Sequence, residues 1–245
     1  MAKGPEKNTK NKALHTKLLN RKKAKLREEK EAQAKRLKVL TAKMNEKKNG
    51  EDLDLSKNKS QNKTQMEEFG RIIVSETAMK SENPQDVIHS NISVINLMRE
   101  EGVDDEFIHE DALTSYYLDY YYSQYTEGNF SQFVYNSGWN KELNELIEEG
   151  LALIGAEKHL ELFLEQSKKV KLISNIKLGK FLKAKLEGVN PVRDSLNNDT
   201  FFELEENLAE LNANFLKNHP DFEVLSVDEM FADLEEYVGH EIKRA

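Results

Sequence analysis

The feature that most constrains the fold is an abrupt change in charge and apolar pattern near residue 65. Residues 1–65 carry 20 Lys and Arg against 8 Asp and Glu and contain no Phe, Tyr or Trp. Residues 66–245 carry 16 basic and 36 acidic side chains. A segment with so little apolar surface cannot form a core of its own. The sequence therefore predicts a basic, low-complexity arm and linker over 1–65 and an acidic folded domain over 66–245.

Residues 13–48 of the arm contain no Gly or Pro and are rich in good helix formers. Their leucines form only a narrow, interrupted apolar seam, which is a weak coiled-coil signal. Residues 1–12 and 49–65 have the composition of a disordered tail and a linker. The basic cluster at 21–27 can neutralise several phosphates, so 13–48 is a candidate nucleic-acid-binding segment. The alternative is a solvated charged helix that contacts the acidic domain.

Apolar residues recur at helical spacing throughout the acidic domain, and turn signals divide them into segments. Asn83 followed by Pro84 is typical of a helix start, and Ser226 with Glu229 has the pattern of a capping box. The predicted segments used below span 105–126, 129–136, 140–154, 156–168, 173–187 and 200–217.

Two short apolar runs, 71–75 and 221–225, are the nearest approach to strands in this sequence. Neither has a neighbouring run joined by a hairpin turn, so no strand is predicted. We therefore expect an all-α fold, a compact domain of six to eight helices preceded by the basic arm.

The sequence carries no signature of catalysis, of a cofactor or of a metal site. The chain has no cysteine, and none of its histidines is three or four residues from another. The cluster His109-Glu110-Asp111 would spread over different faces of a helix. No apolar run approaches the ~20 residues of a membrane span, and no apolar segment follows the basic N-terminus. We expect a cytoplasmic, non-enzymatic protein without cofactor, metal or membrane contact.

Six tyrosines fall between residues 116 and 125, more than one face of a helix can bury. One interpretation places Tyr117, Tyr120 and Tyr121 in the core with Leu113. The remaining tyrosines then form a partly exposed rim that suits a protein interface. The candidate contact residues of this rim are Tyr116, Tyr122 and Tyr125.

Residues 201–236 contain 11 Asp and Glu and a single lysine. An acidic helical surface presents negative charge as a nucleic-acid backbone does, and it attracts basic DNA-binding surfaces. The alternative is that these acids are the solvated outer faces of amphipathic helices. The candidate interaction residues are Glu203, Glu205, Glu206, Glu210, Asp228, Glu229, Asp233, Glu235 and Glu236.

One stretch resembles a known family. Residues 127–138, Glu-Gly-Asn-Phe-Ser-Gln-Phe-Val-Tyr-Asn-Ser-Gly, precede a helix that ends in Ile-Gly-Ala. This pattern is similar to that of a bacterial DNA-mimic protein family, a helical domain largely of unknown function, and the resemblance covers about 110–240. Asn129 stands where the family pattern has a second Gly. The matching positions are Gly128, Phe130, Gln132, Phe133, Asn136 and Gly155.

The resemblance implies an all-α, acidic protein that forms a homodimer and binds a transcription-regulatory DNA-binding protein. In structural terms, Gly128 would turn the chain, Phe130, Phe133 and Trp139 would pack, and Asn136 would cap a helix. The sequence thus predicts a regulatory protein whose acidic surface binds a basic protein partner. The alternative is a nucleic-acid- or ribosome-associated protein that binds through the arm, and a third class is an enzyme whose site leaves no motif.

Overall fold

The structure, a computed structural model, describes residues 68–244. The predictions for the basic arm, residues 1–65, lie outside the described residues. In chain order the described elements are β1 Ile72–Ser75, α1 Glu76–Lys80, α2 Pro84–Glu100, a short 3-10 turn Asp105–Phe107, α3 Glu110–Ser137, α4 Lys141–Leu153, α5 Glu157–Leu172, α6 Asn175–Phe181, α7 Pro191–Leu196, α8 Thr200–Glu203, α9 Leu208–Lys217, β2 Phe222–Leu225 and α10 Val227–Val238.

The predicted all-α class is confirmed, since six of the described helices have ten or more residues. Two predicted helix N-caps are present. Asn83 accepts a hydrogen bond from the backbone of Gln85 at the start of α2, with Pro84 in the first turn. Ser226 and Glu229 form the predicted capping box of α10. No helix of the described chain is both long and apolar enough to cross a membrane.

The prediction of no strand is wrong. The two runs that were set aside, 71–75 and 221–225, supply β1 and β2, which pair in parallel with Ile72 opposite Phe222 and Ser75 opposite Leu225. Parallel strands need a long crossover, so a sequence search for hairpin turns cannot find the pair. Here the crossover is almost the whole domain.

Strand β1 and Phe69, which precedes it, form backbone hydrogen bonds with residues that are distant in the sequence. The backbone N–H of Phe69 donates to the carbonyl of Phe107 (2.7 Å), and that of Ile72 donates to Asp221 (2.9 Å). Ile72, Ile73 and Val74 are at most 1 % exposed. These β-branched side chains favour extended backbone, and they pack against α2.

Helix α3 is the central element, because α2, α4 and α9 all pack against it. It is kinked: Gly128 and Asn129 have non-helical dihedral angles that separate a long segment from a short one. The predicted break between 105–126 and 129–136 is therefore confirmed. The first segment begins later than predicted because His109 caps it after the 3-10 turn.

Six aromatic rings around the kink fill the core beside α3. Tyr121 is fully buried, and its ring lies 5.2 Å from Phe133, 5.5 Å from Phe163 and 6.0 Å from Phe201. Tyr125 stacks on Phe201 at 4.0 Å, and Phe130 packs on Phe133 at 5.9 Å. These contacts bring both segments of α3, α5 and α8 to one point.

The predicted helix over 200–217 is two helices. Residues 204–207 leave the helical path between α8 and α9, and Asn207 caps α9 by accepting from the backbone of Glu210. The side chains that α9 buries are those of Leu208, Ala209, Asn212, Ala213 and Leu216.

The side-chain hydrogen bonds of Asn129 offset an unfavourable backbone conformation. Its φ of 68° and ψ of −174° lie in a region that is open almost only to glycine. Its Oδ1 accepts from the backbone of Phe130 (2.7 Å) and Asn198 (2.8 Å), and its Nδ2 donates to Asp199 (2.9 Å). The family's glycine would avoid the strain, whereas asparagine adds a link from the kink to the loop before α8.

We predict that Asn129→Ala is more destabilising than Asn129→Gly. Both variants lose the amide hydrogen bonds, but only alanine keeps the backbone strain, which costs about 1–3 kcal/mol. The free energies of unfolding in urea should differ by that amount. Equal values for the two variants would show that the backbone is not strained in solution.

Candidate interaction surface

The structure separates the nine candidate acids into two groups. Glu203, Glu205, Glu206 and Glu210 lie on residues 202–210, which we call the acidic loop. The loop connects α8 to α9 and contacts the first turn of α5. The other five acids lie on α10, which packs on the β1–β2 pair. The sequence could not indicate this separation, because it depends on the turn at 204–207.

Within the acidic loop, Glu206 has a structural role. Its Oε2 accepts from the backbone N–H groups of Lys158 (2.8 Å) and His159 (3.3 Å), the first N–H groups of α5. Helix α5 has no cap of its own, since Ala156 occupies the N-cap position. Glu206 therefore caps α5 from a distant part of the chain, and it fixes the loop in place.

The remaining acids of the loop are exposed. Glu203, Glu205 and Glu210 are solvent-exposed and form no salt bridge with another described residue. Phe202, next to Glu203, is 56 % exposed. Its ring centroid lies 5.5 Å from that of Phe201 and 6.2 Å from that of Tyr125. The loop thus presents an aromatic side chain among uncompensated negative charges, on a support that is anchored to the core.

The acids of α10 are mostly engaged within the domain. Asp233 pairs with Arg71 (2.7 Å), Asp228 pairs with Arg244, and Glu235 accepts from the backbone of Ile242 (3.1 Å). Glu229 belongs to the capping box, and its hydrogen bonds with Ser226 lower the pKa of its carboxyl. Glu236 is exposed and forms no salt bridge with a described residue. Of the two groups, the acidic loop offers more uncompensated charge.

The set of buried tyrosines differs from the predicted set. Tyr117, Tyr121 and Tyr125 are buried, whereas Tyr120 is half-buried. The prediction that Tyr125 belongs to the rim is wrong, because its hydroxyl donates to the carbonyl of Asn198 (3.0 Å) inside the fold. Burial raises the pKa of Tyr121 well above the ordinary value.

The two other rim candidates are half-buried and lie in different places. Tyr122 lies 6.1 Å from Phe201, so it borders the acidic loop. The ring of Tyr116 lies 4.5 Å from the guanidinium of Arg99, which also forms a bidentate ion pair with buried Asp105 (both contacts 2.8 Å). Only Tyr122 is therefore placed to extend a surface centred on the acidic loop.

The family-pattern residues are structural, as expected for most of them. Phe130 and Phe133 are fully buried, and Trp139 packs 5.8 Å from Phe130. A Cβ at Gly128 would lie 1.9 Å from Oε1 and 2.9 Å from Cβ of Gln132, so a larger residue there would force the Gln132 side chain to move. Gln132 donates in turn to Glu127 (3.0 Å).

Two turn positions complete this pattern. Gly155 has a left-handed φ of 74° after α4, which allows the tight connection to α5. The capping role predicted for Asn136 is wrong. Its side chain donates to Gln124 across the kink, and Gly138, with a φ of 64°, ends α3.

A cluster of two histidines and two aspartates was missed by the sequence analysis. Nδ1 of His109 accepts from the backbone of Asp111 (3.1 Å), and Nδ1 of His219 accepts from that of Asp221 (3.2 Å). Each histidine also contacts the aspartate of the other pair: Nε2 of His219 lies 2.9 Å from Asp111, and Nε2 of His109 lies 3.5 Å from Asp221. We call this group the His–Asp clamp. The repeated His-x-Asp spacing is the only sequence signal for it.

The geometry of the clamp suits hydrogen bonding better than metal binding. Ligand atoms of His109, Asp111 and His219 do lie within 4.8 Å of one another. A neutral imidazole that accepts at Nδ1 carries its proton on Nε2, where it faces a carboxylate here. A metal ion at Nε2 would move that proton to Nδ1, against a backbone N–H, whereas metal-binding histidines normally face an acceptor there. The clamp therefore joins the start of α3 to the turn before β2.

We predict that His219→Ala and Asp111→Ala each destabilise the domain. A double-mutant cycle of the two should give a coupling energy of about 1 kcal/mol. The measurement is urea unfolding of the four proteins. The control cycle pairs His219 with exposed Glu236 on α10 and should give no coupling. Additive effects of the first pair would mean that the crossed contact is absent in solution.

We predict that the free energy of unfolding decreases as the pH falls below about 6.5. Burial lowers the pKa of His159 from 6.5, although the backbone and charge of Glu206 act in the opposite direction. The unfolded chain therefore takes up a proton at a higher pH than the folded one, and this stability is lost as pH falls through the folded pKa. The buried Nδ1 has no hydrogen-bond partner among the described residues, so a proton there would be unsatisfied.

The check is the free energy of unfolding between pH 7 and pH 5 for the wild type and His159→Gln. Carboxylate titrations affect both proteins, so the difference between the curves isolates His159. The wild type should lose more stability than the variant. Parallel curves would contradict the prediction.

Comparisons with known proteins support a family assignment for part of the chain. Residues 106–219 match the family model described as DMP19-like protein, which covers just under half of the sequence and most of the described domain. No curated protein and no solved structure matches. The C-terminal stretch after residue 219, which the sequence resemblance included, lies beyond the matched region. The resemblance to the DNA-mimic family is thus confirmed, and residues 106–219 are a DMP19-like region.

Proposed function

We propose that the chain is a non-enzymatic regulatory protein that binds a basic, DNA-binding protein through its acidic loop. Such a partner implies a cytoplasmic location. The observation that carries the proposal is that Glu203, Glu205 and Glu210 are exposed, form no salt bridge among the described residues, and lie on the same short segment as the exposed ring of Phe202. The DMP19-like match supports a role in protein interaction.

The charges of the loop suit a surface that normally holds DNA. A protein that binds DNA presents lysine and arginine side chains toward phosphates, and the same side chains are attracted to clustered carboxylates. Charge complementarity of this kind raises the association rate and selects the partner. Glu206 keeps the loop in one conformation, so little conformational entropy is lost when a partner binds.

Phe202 supplies the apolar contact that charges alone lack. A large aromatic side chain that is half-exposed at the centre of a polar patch is typical of a binding hot spot. Tyr122, half-buried and next to Phe201, can extend this contact. The five acids of α10 contribute a background field rather than direct contacts, because four of them already bind groups of this chain.

The test uses the full chain as bait in a nuclease-treated lysate, followed by titration of the purified partner. Reversing Glu203, Glu205 and Glu210 to lysine should lower the affinity at least about tenfold at low salt, because three favourable charge contacts become repulsive. Phe202→Ala should lower it by a similar factor at all salt concentrations.

The matched control reverses Glu82, Glu100 and Glu148, which are equally exposed but lie on other parts of the domain. It carries the same net charge and should bind within about threefold of the wild type. If both triple variants lose affinity equally, the interaction depends on net charge alone. If neither does, and removal of the arm charges at 21–27 abolishes binding of purified nucleic acid in a separate titration, the function belongs to the arm.

A further inference from the structure

Helices α2 and α10 leave between them an apolar groove that the proposed function does not use. Both helices pack on strand β1, and the groove, of about 440 Å³, lies beside the end of that strand. It runs along about 17 Å of α2, or about three helical turns. The larger apolar side chains that line it are those of Val94 and Leu97 on α2 and of Met230, Phe231 and Leu234 on α10.

The described residues cover the apolar stripe of α10 only in part. Leu234 is buried, but Met230 and Phe231 are half-buried, and Val227 is 53 % exposed. On the opposite side of the groove, Ser93 of α2 is exposed. A surface helix normally turns its whole apolar face toward another element of the fold. The groove therefore has the form of a site for one more amphipathic segment.

The elements that border the groove are strongly acidic. Residues 76–101 and 221–241, which contain α1, α2 and α10, carry 13 Asp and Glu against 2 Lys and Arg. Asp86 itself lines the groove. An apolar groove with an acidic border favours a helix that combines an apolar stripe with lysine and arginine side chains.

The N-terminal arm contains a segment with this pattern. Leu37, Leu40 and Met44 have the i, i+3, i+7 spacing with which an amphipathic helix fills a groove. Residues 35–44 also include four Lys and Arg and no Asp or Glu. Ten residues in a helix are about 15 Å long, close to the length of the groove. Apolar spacing, charge and length therefore all match.

The arm joins the domain close to the groove. Phe69, near the first described residue, packs on Tyr237 at the end of α10 with the ring centroids 5.0 Å apart. From there the 12 residues of α10 extend about 18 Å along the groove. A linker of the 23 residues between Met44 and Glu68 spans about 25 Å on average, so the segment reaches the whole groove.

We propose that residues 35–44 dock as a helix in the α2–α10 groove of the same molecule, with Leu37, Leu40 and Met44 against its apolar lining. The tether supplies an effective concentration of about 1 mM, so a contact with a Kd of about 0.1 mM keeps about nine-tenths of the molecules docked. The basic side chains of the segment then lie among the acids of α2 and α10. Docking leaves the acidic loop uncovered, so a basic partner is directed to the loop.

The experiment measures the distance between two spin labels on the full chain by pulsed electron paramagnetic resonance. The chain has no cysteine, so Ala42→Cys and Asn96→Cys place one label in the segment and one at an exposed position next to Leu97. Docking predicts one narrow distance distribution that persists when labelled protein is diluted with unlabelled protein. A broad distribution, or a short distance that is lost on dilution because the segment binds a second copy, overturns the proposal.

Variants of the arm test which side chains make the contact. Leu37→Asp, Leu40→Asp and Met44→Asp together should lower the docked fraction at least about fivefold, because apolar contacts are replaced by charges that the acidic border repels. An unchanged distribution would overturn the proposal. The matched control makes the same change at three leucines outside the segment and should keep the narrow distribution: Leu14, Leu18 and Leu19.

Variants of the groove test the other side of the contact. Ser93→Lys and Val227→Lys add positive charge at exposed positions of the lining and should lower the docked fraction by a similar factor. The matched control, Val189→Lys and Ser195→Lys, changes the same residue types at exposed positions elsewhere and should leave the distance unchanged. Equal effects of the two pairs would mean that net charge alone holds the arm, and the proposal would be wrong. Circular dichroism checks that each variant keeps its fold.

A loop variant separates this inference from the proposed function. Glu203→Lys, Glu205→Lys and Glu210→Lys together should leave the label distance unchanged, because the acidic loop does not line the groove. A broad distribution in this variant would mean that the segment binds the acidic loop, and the docking proposal would fail. Normal binding of the partner by the same variant would refute the proposed function and leave the docking of residues 35–44 untouched.

Discussion

The kink at Gly128 and Asn129 is the constraint on which the rest of the structure depends. It turns α3 so that residues on both of its segments, Tyr121 and Phe133 among them, meet Phe163 of α5 and Phe201 of α8. The Asn129 amide then holds the loop that precedes α8. The acidic loop follows directly, so its position relative to α5 is set by a backbone conformation that most residues cannot adopt.

Local chemistry was enough to predict much of this fold. Caps and glycines define helix ends through interactions within a few residues, so Asn83, Ser226 and Gly155 could be interpreted correctly from sequence. Long-range pairing has no such signal, and β1 and β2 were missed because each is too short and too distant from the other. The break at 204–207 was missed for the same reason, since the contact that Glu206 makes there is with α5, distant in the sequence.

The candidate site shows a sharper limit of sequence reasoning. Clustered acids in a sequence carry equal formal charge, but the fold uses some of them as caps and ion-pair partners and leaves others uncompensated. Glu206 and Asp233 stabilise the domain, whereas Glu203 and Glu205 form no salt bridge within the part of the chain that the structure describes. Likewise, the sequence does not indicate that the Tyr125 hydroxyl donates to the carbonyl of Asn198, a contact that goes with the burial of this side chain. Only three-dimensional contacts separate charges that support the fold from charges that remain for a partner.

Strand β1 has a consequence for how far the domain can be shortened. It lies outside the DMP19-like region, yet its three most buried residues line the core. The backbone of Ile72 donates to Asp221 in the turn before β2, and Phe69, just before the strand, donates to Phe107. A fragment cut at residues 106 and 219 would lose α2 and expose the face of α3 on which α2 packs. It would also leave the His–Asp clamp without Asp221. The packed part of the described chain therefore extends beyond the region that the family model matches.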